Sequence, residues 1–275
     1  MFTHKTDIRL TILEGRERTT ALVNGTRSAI GVDYHQEGDL LFWSESYDKR
    51  IYRTKLSDNL RTHKIIVDEE SEEGLAVDWI SDNLYYVRRH SHPPGYKTIA
   101  VTDFNGKYHV DIITSDLEEP RSLCVKPGKG WLFWSDWGKQ PRIEMSNMDG
   151  SNRNILVNEN ILWPNGISLD PVHDTLYWVD AKLHTISMVN ILTKEVKMIM
   201  HSTVYLYHPY SIAVFEDQMY WTDTRANSTK ILKANKFNGE ELLLHKKSYS
   251  VRTLFLYLLH ISIFYLSAKL KMKYL

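Results

Sequence analysis

The sequence predicts an all-β chain built as a six-bladed β-propeller with four-stranded blades. Two observations carry that expectation. An aromatic pair followed by a small residue and an acid, or a near relative of that pattern, occurs at Phe42-Trp43-Ser44-Glu45, Tyr85-Tyr86-Val87-Arg88, Phe133-Trp134-Ser135-Asp136, Tyr177-Trp178-Val179-Asp180 and Tyr220-Trp221-Thr222-Asp223. The second aromatic falls at 43, 86, 134, 178 and 221, a period that marks a repeat architecture. Within each period four short apolar runs recur between turn residues, and four strands per repeat of this length make a propeller blade.

The first run of each repeat is small and apolar and ends in Asp or a substitute. Ala29-Ile30-Gly31-Val32-Asp33, Gly74-Leu75-Ala76-Val77-Asp78 and Gly166-Ile167-Ser168-Leu169-Asp170 are the clearest copies. Small residues suit the crowded inner strand beside the axis. The aromatic run follows a turn, and its rings suit the space between adjacent blades. A third run alternates, as in Ile51-Tyr52-Arg53 and Ile143-Glu144-Met145. A fourth closes the blade, as in Ile65-Ile66-Val67 and Ile155-Leu156-Val157. Turn signals such as Asp149-Gly150 and Asn238-Gly239 separate them.

The first 23 residues also follow the repeat. Met1-Phe2-Thr3-His4 stands where an aromatic run is due, and Ile8-Arg9-Leu10 and Ala21-Leu22-Val23 stand for strands three and four. Only the inner strand of this copy is missing. The expectation is five complete blades and a sixth split between the chain ends, an arrangement that removes exposed sheet edges. Val251 to Tyr257 arrives where the missing inner strand is due.

Composition narrows the function. Lys+Arg and Asp+Glu both number 34, so the basic excess of a general nucleic-acid binder is missing. Cys124 is the single cysteine, so no disulfide forms within the chain. It is expected as a buried, unpaired thiol on an inner strand. Met1 to Leu10 is charged and alternating, so no signal peptide is expected there. The sequence has no G-x-S-x-G, H-E-x-x-H, P-loop or Cys/His metal spacing. No catalytic residue, metal or other cofactor is therefore expected. Two glycosylation sequons begin at Asn24 and Asn227.

On these residues the chain resembles the YWTD β-propeller of the low-density lipoprotein receptor and receptor-related proteins. The resemblance covers roughly residues 1–247. Besides the aromatic runs it rests on Trp163-Pro164-Asn165-Gly166-Ile167-Ser168-Leu169-Asp170, Trp134-Ser135-Asp136-Trp137-Gly138 and Lys182-Leu183-His184. It implies a six-bladed, calcium-independent propeller, flanked in its parent by EGF-like modules. It further implies a glycoprotein ectodomain that faces the extracellular space and the endosomal lumen. The expected partners are protein ligands, or the receptor's own cysteine-rich ligand-binding repeats. Membrane contact is expected through the parent receptor, with weak contact through residues 253–268. EGF-like modules and cysteine-rich repeats are missing from this sequence, so it is expected to be a fragment.

Candidate sites divide in two. Trp43, Tyr86, Trp134, Trp178 and Trp221 recur with the repeat and read as core. Asp136, Asp180 and Asp223 recur likewise and read as acids that cap turns and tie blades. Trp137 and Trp163 fall outside the strands. They read either as binding anchors or as loop aromatics folded over the core, and the resemblance favours binding. His184 and His208 would gain charge between the cell surface and an acidified endosome. The resemblance places them where the lipoprotein receptor's propeller has histidines that hold its own acidic repeats at low pH. A lysine four positions before the second histidine in that receptor is replaced here by Val204, which puts part of the cationic patch in question.

Two other functions fit a six-bladed propeller: a calcium-dependent, lactonase-like hydrolase, or a propeller that binds extracellular matrix. The hydrolase needs Glu, Asn or Asp in the channel from several blades, whereas the inner strands here are mainly small and apolar. The tail, residues 248–275, reads as a closing strand to about Tyr257, as a short membrane anchor, or as translated non-coding sequence. Its apolar run of 16 residues from Thr253 to Ala268 is shorter than the ~20 of a bilayer span.

Overall fold

The computed structural model describes residues 1–4, 6–11, 19–58, 62–68, 70–225, 228–248 and 251–254. The chain opens with β1 (Phe2–His4), β2 (Asp7–Thr11) and β3 (Thr19–Asn24). Blade 1 is β4 (Ala29–His35), β5 (Leu40–Glu45), β6 (Arg50–Lys55) and β7 (Lys64–Val67). Blade 2 is β8 (Ser71–Asp78), β9 (Asn83–Arg89), β10 (Lys97–Asp103) and β11 (His109–Ile113). Blade 3 is β12 (Pro120–Lys126), β13 (Trp131–Asp136), β14 (Arg142–Asn147) and β15 (Asn154–Val157). Blade 4 is β16 (Pro164–Asp170), β17 (Thr175–Asp180), β18 (Thr185–Asn190) and β19 (Val196–His201). Blade 5 is β20 (Pro209–Phe215), β21 (Gln218–Arg225), β22 (Ser228–Asn235) and β23 (Leu243–Ser248). The last strand, β24 (Val251–Leu254), pairs antiparallel with β1, so the sixth blade runs β24-β1-β2-β3. The split blade expected from the sequence is therefore present.

The core lies between blades. Trp43, Tyr86, Trp134, Trp178 and Trp221 are all buried, each in the second strand of its blade. One apolar cluster fills each blade junction. The junction of the closing blade with blade 1 holds Ile8, Val23, Leu41 and Trp43. Its other face sets Phe2 against Ala213, Tyr220 and Ile231 of blade 5, which closes the ring. Truncating a core tryptophan to alanine costs about 3–5 kcal/mol.

The small residue of the motif has its own physical role. Ser44 Oγ accepts the N–H of Gly31 at 3.0 Å and donates to Glu73 O of the next blade at 3.0 Å. Ser135 Oγ likewise accepts from Ser122 N–H at 3.1 Å and donates to Asn165 O at 2.9 Å. These hydroxyls satisfy edge groups that the inner strand, lacking a neighbour on its axial side, would otherwise bury unpaired. Side chains on the inner strands add further ties. Asp33 Oδ2 accepts Val77 N–H at 2.7 Å, and Ser168 Oγ accepts Val214 N–H at 3.1 Å. The inner strands approach so closely that glycine is required at Gly74, where a Cβ would strike Arg121 O.

One sequence expectation changes. Cys124 is only partly buried, packed against the blade 3–4 core. Burial pushes its thiol pKa up, with the Asp33 charge acting in the same direction. In blade 2 the motif acid is replaced by Arg88, which pairs with Glu70 at 2.5 Å and Asp111 at 3.4 Å. The sign is reversed there: the preceding connection supplies the acid and the strand supplies the cation. Asn227 and residues 255–275 lie outside the described residues, as does most of the apolar run.

Candidate functional site

In a four-stranded antiparallel blade, the turn between strands two and three emerges at one end of the propeller. So does the connection to the next blade. Trp137, Trp163, His184 and His208 all belong to such segments, so topology alone brings them to one end.

The motif acids hold these segments in place. Asp180 is fully buried. Its Oδ2 accepts the N–H groups of Leu162 and Trp163 at 2.7 and 3.0 Å, and its Oδ1 those of Lys182 and Leu183, both at 2.9 Å. Asp136 does the same for Glu118, Glu119 and Gly138. Asp223 Oδ1 accepts His208 N–H at 2.7 Å. The repeated acids thus fix the backbone from which the site's side chains project.

The side chains converge on a cleft of about 520 Å³ between blades 4 and 5, walled by Trp163, Ala181, Lys182, His184, Tyr207, His208 and Thr224. No carboxylate lines it. His184 has a left-handed backbone, φ 57°, and its Nδ1 donates to Leu206 O at 2.8 Å. A carbonyl only accepts, so Nδ1 carries the proton and Nε2 remains for another partner. Leu206 is buried, and Trp221 Nε1 donates to Tyr205 O at 2.9 Å, so the loop facing His184 is anchored to the core. Burial lowers the pKa of His208, helped by the positive charges of Arg121 and His184 and opposed by Asp223.

A ladder of rings and cations runs from the β17–β18 turn to the inner strands β12 and β20. The Lys182 ammonium lies 5.2 Å from the Trp163 ring centroid, and Trp163 meets Trp137 edge to face at 6.1 Å and 82°. The Arg121 guanidinium stands 5.1 Å from Trp137 and 4.9 Å from Tyr210. Arg121 is held by Glu73 at 3.1 Å and by Asn165 Oδ1 at 2.9 Å. Trp163 is 39% exposed, enough to offer a face to a ligand, whereas Trp137 flanks the cleft without lining it.

Sequence reasoning missed Arg121, Tyr207 and Arg225, and did not single out Lys182. Arg225 bears on the Val204 question directly. Its Nη2 donates to Thr203 O and Val204 O at 2.9 and 3.1 Å, and its guanidinium lies 4.7 Å from the Tyr207 centroid. A cation thus reaches the Val204 backbone from β21. Its signal in the sequence is faint, a basic residue two places after the motif acid. A second cleft, of about 300 Å³, lies at the opposite end between blades 1 and 2. There Arg53 Nη1 already donates to Phe104 O and Asn105 Oδ1.

Comparison with known proteins joins this geometry to a family. Residues 130–171 and 174–216 match the low-density lipoprotein receptor repeat class B. The vitellogenin receptor Yl of Drosophila melanogaster is 32% identical over 247 residues, which is 88% of this chain and 12% of that receptor. The chain is a YWTD propeller of the low-density lipoprotein receptor family. The human low-density lipoprotein receptor-related protein 5-like protein is 28% identical over 203 residues, covering 74% of this propeller and 78% of that protein. A chain in the crystal structure of the nidogen/laminin complex shares the fold, with a TM-score of 0.80 and 22% identity over 92% of this propeller and 95% of that chain. The propeller spans only a small part of the vitellogenin receptor. Among its described residues no helix is long and apolar enough to cross a membrane.

Proposed function

We propose that this propeller is a non-enzymatic ectodomain module of an endocytic, lipoprotein-receptor-like membrane protein, and that its blade 4–5 cleft binds acidic protein segments. Binding is expected to be tighter at about pH 5.5 than at about pH 7.4. The supporting observation is one cleft lined by Trp163, Lys182, His184 and His208 and by no carboxylate. The rings supply apolar contact at low entropic cost and the cations supply charge complementarity. A ligand carboxylate would offset the burial and positive neighbours that depress His208, so binding would take up a proton and strengthen on acidification. In an endosome, engagement of the parent's own acidic repeats would displace cargo. The module would then face the extracellular space and the endosomal lumen.

The test is affinity for a calcium-loaded, disulfide-bonded acidic ligand-binding repeat at both pH values. Wild type is compared with the His184→Ala/His208→Ala double variant. The double variant should lose the gain at low pH. Unchanged pH dependence in it rejects the histidines, and no binding by wild type at either pH rejects the module.

The hydrolase reading has less support. At the inner-strand position of Asp33, the other complete blades place Ala76, Cys124, Ser168 and Ala213. That position holds one carboxylate among the five complete blades, and its oxygens already accept the N–H groups of Val77 and Tyr34. Tight calcium binding to the isolated chain by calorimetry would favour the hydrolase instead.

A further inference from the structure

Blade 3 carries three tryptophans at equal spacing, Trp131, Trp134 and Trp137. Trp134 is the core residue of the repeat. The position three before it opens the second strand of each blade, and the other complete blades place Leu40, Asn83, Thr175 and Gln218 there. Packing therefore does not demand an indole at Trp131. A tryptophan followed at the third place by another tryptophan is the acceptor pattern for transfer of mannose to indole C2, a modification made in the lumen of the secretory pathway. Of the eight tryptophans only Trp131 and Trp134 meet it; Trp137, for example, has Gln140 at that place.

The fold separates the two. Trp134 is fully buried between blades 2 and 3 with Val87, Ile99 and Val125, and the Arg153 guanidinium lies 5.3 Å from its ring centroid. A hexose on that indole would have to displace close-packed core. Trp131 is only partly buried. It follows the Pro127–Lys129 turn through Gly130, and a Cβ on Gly128 or Gly130 would meet nothing within 4 Å. Open space therefore adjoins the chain at Trp131. The Lys126 ammonium lies 5.9 Å from the Trp131 centroid, bonds Pro171 O at 3.0 Å and pairs with Asp174. A sugar on this ring would have an ammonium, a carboxylate and a carbonyl nearby as partners for its hydroxyls.

We propose that Trp131 is a C-mannosylation site and that Trp134 carries no sugar in the folded chain. The nucleophilic indole C2 attacks the anomeric carbon of a polyprenyl-phosphate-linked mannose. The bond from C2 to the anomeric carbon forms, and the bond from that carbon to the phosphate oxygen breaks. Polyprenyl phosphate leaves with the electron pair, and C2 gives its proton to a base of the transferase as the indole regains aromaticity. The inference rests on the ectodomain reading above for its compartment.

The experiment expresses the full chain behind a cleavable secretion leader, in cells with a C-mannosyltransferase and in the same cells with that enzyme deleted. Trypsin leaves all three tryptophans on one peptide, Gly130 to Lys139. That peptide should gain the mass of one hexose, resistant to peptide N-glycosidase and to mild base, and its fragment ions should place the sugar on Trp131. Deleting the transferase should remove the shift, and so should Trp131→Phe. An unmodified Trp131 in the secreted chain overturns the inference. So does a hexose on Trp134 in the secreted chain, or a shift that survives Trp131→Phe. If the chain is retained, the same peptide from the endoplasmic reticulum decides at Trp131, because transfer takes place there. The leader delivers the chain to the lumen, so a bare Trp131 leaves the ectodomain reading standing. Failure to bind the acidic repeat rejects that reading and leaves Trp131 untouched.

Discussion

The Asp180 carboxylate accepts the backbone N–H of Trp163 at 3.0 Å across the start of blade 4. The same group accepts Lys182 N–H at 2.9 Å. One buried acid of the repeat therefore sets both the aromatic wall of the cleft and the cation stacked on it. The residue that builds the blade also fixes the walls of the cleft, which is why the structural motif and the candidate site coincide at this end.

Replacing Asp180 tests that double role. Asp180→Ala leaves four N–H groups without their acceptor, each costing about 1–3 kcal/mol if it stays buried. We expect a loss of at least about 3 kcal/mol in urea unfolding. Asp180→Asn, which keeps one acceptor oxygen, should fold and yet bind the acidic repeat more weakly, because the Trp163 and Lys182 segments loosen together. Full affinity in Asp180→Asn would show that the cleft does not depend on this anchor.

The fold was legible because its strongest signal is periodic. Trp43, Trp134, Trp178 and Trp221 fill equivalent inter-blade spaces, so packing imposes one residue type at one spacing. Strand β24 was legible by subtraction, as the one inner strand missing from the repeat. The site was legible only in part. His184 and His208 stood out through family resemblance, and Trp163 because it fell outside a strand. Arg225 did not, because its role depends on Tyr207 and Val204, which precede blade 5 and meet it only across the fold. Arg121 was hidden for another reason: it sits on an inner strand whose pattern reads as small and apolar.

Asp33 gives the fold its own pH dependence. Burial raises its carboxyl pKa from 3.8 to about 7, although the N–H groups of Val77 and Tyr34 pull it down. The folded chain therefore holds a proton on this group that the unfolded chain releases. Its stabilising contribution is complete below the unfolded value and is lost as pH rises through the folded one. Asp33→Asn keeps an acceptor for Val77 and has no charge to bury. It should raise the melting temperature most relative to wild type at pH above about 7, by clearly less at about pH 5, where the loss has only begun. A gain of equal size at both values would show that ionisation of Asp33 is not the cause.

Asn24 is exposed at the end of β3, and the chain turns at Gly25, φ 79°, before the buried Thr26. Expressed through a secretory pathway, the chain should carry a glycan there. Asn24→Gln should remove one glycan's mass on denaturing gels. The site lies beyond the closing blade from the cleft, so binding of the acidic repeat should survive the change. Identical mobility of Asn24→Gln and wild type would show that the sequon is unused.

Closure of the ring makes the sharpest prediction about the fold. Val251–Leu254 pairs with β1 through Phe2↔Leu254 and His4↔Val251, and the strand also packs against β20, β21 and β4. Without it, β1 becomes an unprotected inner edge and the Phe2 contact with blade 5 loses its cover. A chain ending after Tyr257 should be soluble and melt in one cooperative transition, because the apolar run that follows adds surface prone to association. A chain ending after Ser250 retains β23 and lacks only the closing strand. Each kcal/mol it loses should lower its melting temperature by about 2–4 °C, so a cost of about 2 kcal/mol would be plain in calorimetry. A synthetic peptide spanning Val251 to Tyr257, added in excess, should restore part of the difference by mass action. Equal melting temperatures for the two truncations, with no response to the peptide, would show that the propeller closes without this strand.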